Sequence, residues 1–340
     1  MSYQRVIITE FGDPDVLEVV EEATLPEPAP GQVRVKVLAA SATFTDTMVR
    51  KGIYFDLKET PPFPPGYDMV GVVDKVGVGV TGLKVGQMVA DLTVFGAYTE
   101  YMIRPADSLV PLPDGLDPAE AVSLVLSYVT AYQMLHRIAK VQRRGKILVH
   151  GAGGAVGTAL LELGGLLDLE MYGTASKSKH ELVKSLGATP IDYKNEDFLE
   201  RIQLLNGDGV DAAFDAIGGE NFKRSFKALK KGGTLVPYGF YNNAMGKGGS
   251  VPMEFMSIAL WNILPNGRKA AFYSIGALRK KHPQWFKEDL SRLFSLLTQD
   301  KIRPVIEKHM KLEDAAQAHE LIEQAAVNGR LVLMVNGSNL

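Results

Sequence analysis

Residues 147–167 constrain this chain more than any other stretch. The run Ile147-Leu148-Val149-His150 leads into Gly151-Ala152-Gly153-Gly154-Ala155-Val156-Gly157 and then into the helix-forming segment TALLELGGLL. A glycine-rich turn between strand and helix lets backbone N–H groups approach a phosphate, which also meets the positive end of the helix dipole. Gly154 is placed for close ligand approach and Gly157 for close helix-to-strand packing, while Ala152 stands where the first glycine of G-x-G-x-x-G would be. Ala155, Val156, Ala159, Leu160 and Leu163 make the expected buried face of the helix. A lone glycine fingerprint is weak, and a structural turn is the competing reading. This one follows a strand, opens a helix and precedes a second strand, which is the context the fingerprint needs. The stretch therefore predicts a dinucleotide site in a βαβ unit.

The second strand speaks to the choice of nucleotide. An NAD site usually ends that strand, ~20 residues on, with an acid that binds the ribose hydroxyls. Here 171–175 runs into Ser176-Lys177-Ser178-Lys179. No acid is there to repel a 2′-phosphate, and two hydroxyls and two ammonium groups are there to bind it. NADPH is the predicted cofactor. A solvated helix start is the competing reading of these lysines.

The rest of the chain alternates in the same way after Gly145. Strands are predicted over 147–150, 171–175, 190–193, 210–215 and 234–239, with helices over 154–167, 177–186, 196–205 and 219–229. Strands alternating with helices of about 10–15 residues mean an α/β fold with a doubly wound parallel sheet. One more strand is expected over 269–275 (KAAFYSI), then helices over 284–297 and 313–326 and a closing strand over 330–335. The first ~120 residues differ: they are Gly- and Pro-punctuated, alternate apolar and polar residues over 33–37, and carry Val-rich strands with glycine turns over 69–91. That pattern suggests a barrel or sandwich. A helix is expected over 119–138.

Composition excludes several classes. The 340 residues carry a formal charge of −2 and no cysteine. The charge gives no support for a nucleic-acid partner, and the basic run 140–146 reads as a solvated loop. Without cysteine, disulfides and thiolate zinc sites cannot form. The six histidines make no H-x-x-x-H pair or H-E-x-x-H motif. No apolar run nears the ~18 residues of a membrane span. The N-terminus lacks a signal-peptide shape, so a cytoplasmic protein is expected. Ser338-Asn339-Leu340 resembles a peroxisomal S-K-L signal with Asn in the basic position.

At this point the chain resembles a zinc-free member of the medium-chain dehydrogenase/reductase superfamily, in the quinone oxidoreductase branch. The matching stretches are 31–37 (GQVRVKV), 43–54 (TFTDTMVRKGIY), 64–86, 127–135 (SYVTAYQML), 147–157, 186–193 (LGATPIDY) and 329–332. The resemblance implies a GroES-like β-barrel catalytic domain from both chain ends, 1–125 and 278–340, around a Rossmann domain over 126–277. Zinc relatives bind metal through Cys and the His of G-H-E; here Thr43 and Gly66-Tyr67-Asp68 stand near those positions. The resemblance also implies roles. Thr130 and Phe44 would lie near the nicotinamide, and Gly151, Gly153, Gly154, Ala155 and Val156 at the phosphates. Ser176, Lys179 and Tyr193 would approach the 2′-phosphate; Ile217, Gly239 and Phe240 would line the ribose edges. Tyr54 matches a tyrosine of the quinone pocket. The branch motif N-F-x-D becomes Thr43-Phe44-Thr45-Asp46, with Asp46 serving either the site or a local cap. Relatives pair through the Rossmann sheet edge, so a homodimer through 269–275 is implied.

Without a bound metal there is no Lewis acid to polarise an alcohol. The expected small-molecule acceptors are polarised by their own conjugation: quinones or α,β-unsaturated carbonyls. Tyr54 and Thr43 are the first candidates to donate a hydrogen bond to the developing oxyanion, with Tyr67 and Tyr241 behind them. Two alternatives stay open: an enoyl-thioester reductase, and a protein that binds NADPH without turnover.

Overall fold

The computed structural model describes residues 1–335, so the terminal Ser338-Asn339-Leu340 lies outside the described residues. The chain divides into two compact units, 1–126 with 287–340 and 127–286. The return to the first unit comes later than residue 278, because a helix not read from the sequence, Ile275–Lys281, precedes it.

The first unit is a GroES-like domain built around the strand Gln32–Ala42. This strand pairs antiparallel with Met69–Val76, with Tyr101–Pro105 and with the closing strand Arg330–Met334. Both chain ends therefore share one sheet, which continues through Met88–Asp91 to Val110–Pro111 and, on the other side, to Ile306–Lys311. The alternation read from the sequence sets its core: Val33, Val35 and Val37 pack with Met69, Val73, Val89, Leu331 and Leu333. Buried polar groups are matched. Arg330 donates to Asp68 at 3.0 Å and also to Ser41. Arg50 meets His319 Nδ1 at 3.3 Å and Glu323 at 2.5 Å, and Tyr98 meets His319 Nε2 at 3.2 Å. Burial and then the Arg50 charge push the His319 pKa down to about 3, which keeps the ring neutral.

The second unit is a Rossmann domain. Its sheet is fully parallel, in the spatial order Thr189–Asp192, Glu170–Ala175, Lys146–His150, Val210–Asp215, Leu229–Pro237, Lys269–Ala270. The chain winds outward one way from Lys146–His150, returns to its other side at Val210–Asp215, and winds outward again. That reversal is a topological switch point, where the carboxyl ends of the strands leave a crevice for a ligand.

Three further features depart from the sequence reading. The helix over 119–138 is present but contains π-helical turns at Leu124–Tyr128 and Gln133–Ile138. The strand expected over 269–275 is regular only at Lys269–Ala270; Ala271 and Tyr273 still donate to Leu235 and Pro237, at 2.9 and 2.8 Å. A helix not predicted at all spans Val251–Ile263. It is apolar on both faces, so it has no helical period to read. Among the described residues, no helix is long and apolar enough to cross a membrane.

Candidate functional site

Apart from Thr130, the candidate site residues of the second unit follow the carboxyl ends of its parallel strands. Lys146–His150 passes into Gly151, whose φ of +67° suits glycine. The helix Ala155–Gly165 then begins at Gly154, with no side chain capping it. A Cβ on Gly157 would stand 2.2 Å from the Gly151 carbonyl oxygen, so only glycine lets the helix sit this close to the turn. A Cβ on Gly153 would stand 2.7 Å from Lys179 Cδ. The Lys179 stem therefore crosses the glycine turn. These features fit a dinucleotide: an uncapped helix start, a turn whose only side chain is the buried methyl of Ala152, and a lysine laid over it.

Ser176 and Ser178 follow the neighbouring strand, with their hydroxyls 3.0 Å apart. Tyr193 follows the outer strand and is 56% exposed. On the other side of the switch point, Ile217 N–H donates to Asp215 at 2.7 Å. The turn carrying Gly239 and Phe240 is tied to it, since Tyr241 and Asn242 donate to the carbonyls of Ala216 and Ile217 at 2.9 and 2.8 Å. Phe240 stacks on Phe272 with ring centroids 5.3 Å apart. Thr130 is buried on the short α-helical segment Val129–Tyr132, between the two π turns. Such turns are frequent at functional sites.

Two groups here were missed in the sequence. Asp192 ends the strand beside Glu170–Ala175, opposite Ala175 in register. Hydrogen bonds from Asn195 and from Lys194 N–H lower its pKa and occupy both of its oxygens. The acid is thus turned into its own loop. His150, Ser225 and Asp215 form a buried chain: His150 Nε2 is 2.9 Å from Ser225 Oγ, which donates to Asp215 at 2.6 Å. This is not a nucleophilic triad, because the serine lies between base and acid and gives its proton to the carboxylate. Burial lowers the His150 pKa and holds it neutral. The chain locks the strand ends beneath the glycine turn.

The first unit holds the other candidates. Thr43 caps the helix Phe44–Arg50, and Phe44 is its first, half-buried residue. The capping is reciprocal. Thr43 Oγ1 accepts from Asp46 N–H at 3.2 Å and donates to Asp46 Oδ2 at 2.6 Å, while Thr43 N–H donates to the same carboxylate at 2.9 Å. The single hydroxyl proton of Thr43 is therefore committed to Asp46. Gly66 N–H gives Asp46 another hydrogen bond, at 3.2 Å. Burial nevertheless raises the Asp46 pKa to about 7 against the bonds from Thr43.

Tyr54 and Tyr67 have their hydroxyls 2.8 Å apart. Burial raises both pKa values. The hydrogen bond between them lowers that of Tyr54 and raises that of the more deeply buried Tyr67. With Tyr67 donating, Tyr54 keeps its own proton for another acceptor. Tyr67 stands near the position of a zinc ligand in the family motif, and its contact with Tyr54 is visible only in the fold. Tyr241 belongs to the second unit, where burial and then Tyr193 raise its pKa. Among the described residues, no group of three or more His, Cys, Asp or Glu could hold a metal ion.

Comparison with known proteins agrees with both units. Residues 29–114 match the family described as "Alcohol dehydrogenase GroES-like domain", and residues 186–333 match "Zinc-binding dehydrogenase". The quinone oxidoreductase of Mus musculus is 30% identical over 98% of this chain and 98% of its own length. The synaptic vesicle membrane protein VAT-1 homolog of Homo sapiens is 31% identical over 97% of this chain and 86% of its own. The crystal structure of Escherichia coli quinone oxidoreductase complexed with NADPH superposes with a TM-score of 0.87 at 26% identity, covering 97% of this chain and 99% of that one.

Proposed function

Because the chain belongs to the medium-chain dehydrogenase/reductase superfamily, in its quinone oxidoreductase branch, we propose that it is an NADPH-dependent reductase delivering hydride to a quinone or an α,β-unsaturated carbonyl. The observation that carries this reading is the Lys179 side chain lying over an uncapped glycine turn at the switch point. In this reading the amides of Gly151, Gly153, Gly154, Ala155 and Val156 hold the pyrophosphate. Ser176, Lys179 and Tyr193 hold the 2′-phosphate, while the Asp192 carboxylate, still charged, is hydrogen-bonded within its own turn. Ile217, Gly239 and Phe240 line the riboses, and Thr130 and Phe44 flank the nicotinamide.

The bound cofactor supplies the hydride; the protein supplies orientation and hydrogen bonding. Tyr54 donates to the oxygen that gains negative charge, and Tyr67 fixes the direction of that donation. Thr43 acts as an acceptor through its oxygen, because its proton is held by Asp46. An acceptor already polarised by conjugation suits such a neutral donor.

The test is NADPH consumption by the purified protein with 1,2-naphthoquinone, methyl vinyl ketone and crotonyl-CoA in turn. Turnover of either of the first two is expected. Turnover of crotonyl-CoA alone would make it an enoyl-thioester reductase. Tight NADPH binding without oxidation by any acceptor would overturn the reductase reading.

A further inference from the structure

Backbone pairing across the switch point stops one residue short of the strand ends. The ladder between Lys146–His150 and Val210–Asp215 ends at the pair Val149 and Phe214, whereas His150 is still paired with Thr174 on its other side. His150 and Asp215 are thus the first residues beyond the ladder, where the crevice opens.

Side chains take over there, in a row of four buried groups. Thr174 Oγ1 lies 3.0 Å from His150 Nδ1, His150 Nε2 lies 2.9 Å from Ser225 Oγ, and Ser225 donates to Asp215 at 2.6 Å. None of the four residues is more than 3% exposed. Phe198 packs against the His150 ring in a T-shaped contact, centroids 4.6 Å apart, and restricts its rotation. The ring is closed to solvent, so any role of His150 is exerted through its neighbours.

The proton positions follow from the supply of donors. A hydroxyl carries one proton, and that of Ser225 goes to the carboxylate, the stronger acceptor. Ser225 Oγ must then accept from His150 Nε2–H. The ring, held neutral by burial, has no second N–H, so Nδ1 accepts from the Thr174 hydroxyl. The three bonds run in one direction, and reversing one would leave a buried group without its partner.

The two ends of the row hold different parts of the crevice. The Thr174 carbonyl accepts from Ala152 N–H at 3.0 Å, inside the glycine turn, and its strand leads to Ser176 and Lys179. Asp215 accepts from Ile217 N–H at 2.7 Å and from Asn221 at 2.8 Å, and its carbonyl accepts from Tyr238 N–H at 3.0 Å. One end belongs to the phosphate half of the crevice, the other to the turns of Ile217 and of Gly239-Phe240.

We propose that this row is a spacer of fixed length, and that His150 is a positioning residue that sets the separation of the two halves of the dinucleotide site. The proposal rests on the cofactor reading above. A dinucleotide engages both halves at once, so its affinity depends on their separation, whereas a ligand of one half does not sense it. A spacer also acts in series: breaking it at either end releases the same constraint, so two breaks do not add.

Calorimetric titration of the full chain with NADPH and with 2′,5′-ADP, which carries phosphates for one half and no nicotinamide riboside, tests it. The variants are Thr174→Val, Ser225→Ala, their combination, and Thr174→Ser. Thr174→Val and Ser225→Ala should each weaken NADPH about tenfold and leave 2′,5′-ADP within about twofold of wild type, which also shows that the variants fold. The combination should bind NADPH no more weakly than the weaker single variant. Thr174→Ser keeps the hydroxyl and should match wild type. Equal weakening of both ligands would overturn the spacer, as would additive losses in the combination or unchanged NADPH affinity in both single variants. A wild type that binds no NADPH would instead overturn the cofactor reading, and the spacer with it.

Discussion

Two helices in this molecule begin in opposite ways. The helix Ala155–Gly165 starts at Gly154 with no side-chain cap. The helix Phe44–Arg50 starts at Thr43 with a full capping box, in which Thr43 and Asp46 satisfy each other. An uncapped start keeps its N–H groups and dipole for an external anion, whereas a capped one has spent them on its own carboxylate. In the proposed reading the open end is a ligand site made of backbone, the closed end is a scaffold, and the chemistry beside it comes from other side chains, Tyr54 with Tyr67, whose hydroxyls are 2.8 Å apart.

Closing the open end should break the contrast most severely. Gly154 has extended backbone angles, and a Cβ there would meet only ordinary contacts. Gly154→Asp should therefore fold, gain about 0.3 kcal/mol of helix capping and lose NADPH affinity at least 100-fold, as read by nucleotide titration beside thermal unfolding. Gly157→Ala should do the reverse to the fold. Its methyl would press on the Gly151 carbonyl and cost about 1–3 kcal/mol, visible as a lower denaturant midpoint.

At the closed end, Tyr54→Phe should lower kcat by about tenfold or more with little change in NADPH affinity. Unchanged turnover would remove Tyr54 from the donor role. The smallest effect concerns Asp46. Its pKa rises from 3.8 in the unfolded chain to about 7 in the fold. The folded state thus holds the proton more tightly, so stability is greatest below about pH 4 and declines as pH rises toward 7. Asp46→Asn should flatten that decline, seen as melting temperatures of variant and wild type that diverge between pH 5 and pH 8.

The same contrast explains what could be read from the sequence. The parallel sheet and its glycine turn were legible because period, glycine spacing and strand–helix alternation are local signals. Ser176 and Lys179 were legible as the residues next in line. Asp192 was not, because its effect depends on which strand lies beside Ala175. The Thr43–Asp46 lock follows a recognisable capping pattern, but whether its proton is free depends on rotamers. Tyr67 needed a contact thirteen residues away in the chain. The helix Val251–Ile263 was hidden because its outer face is as apolar as its inner one.

The central claim is that the open glycine turn with Ser176 and Lys179 selects the phosphorylated nucleotide. Calorimetric titration of NADPH and NADH against wild type and a Ser176→Ala, Lys179→Ala double variant tests it directly. The wild type should bind NADPH at least tenfold more tightly than NADH, and the double variant should lose that preference while keeping NADH affinity. Equal or tighter binding of NADH by the wild type would contradict the account.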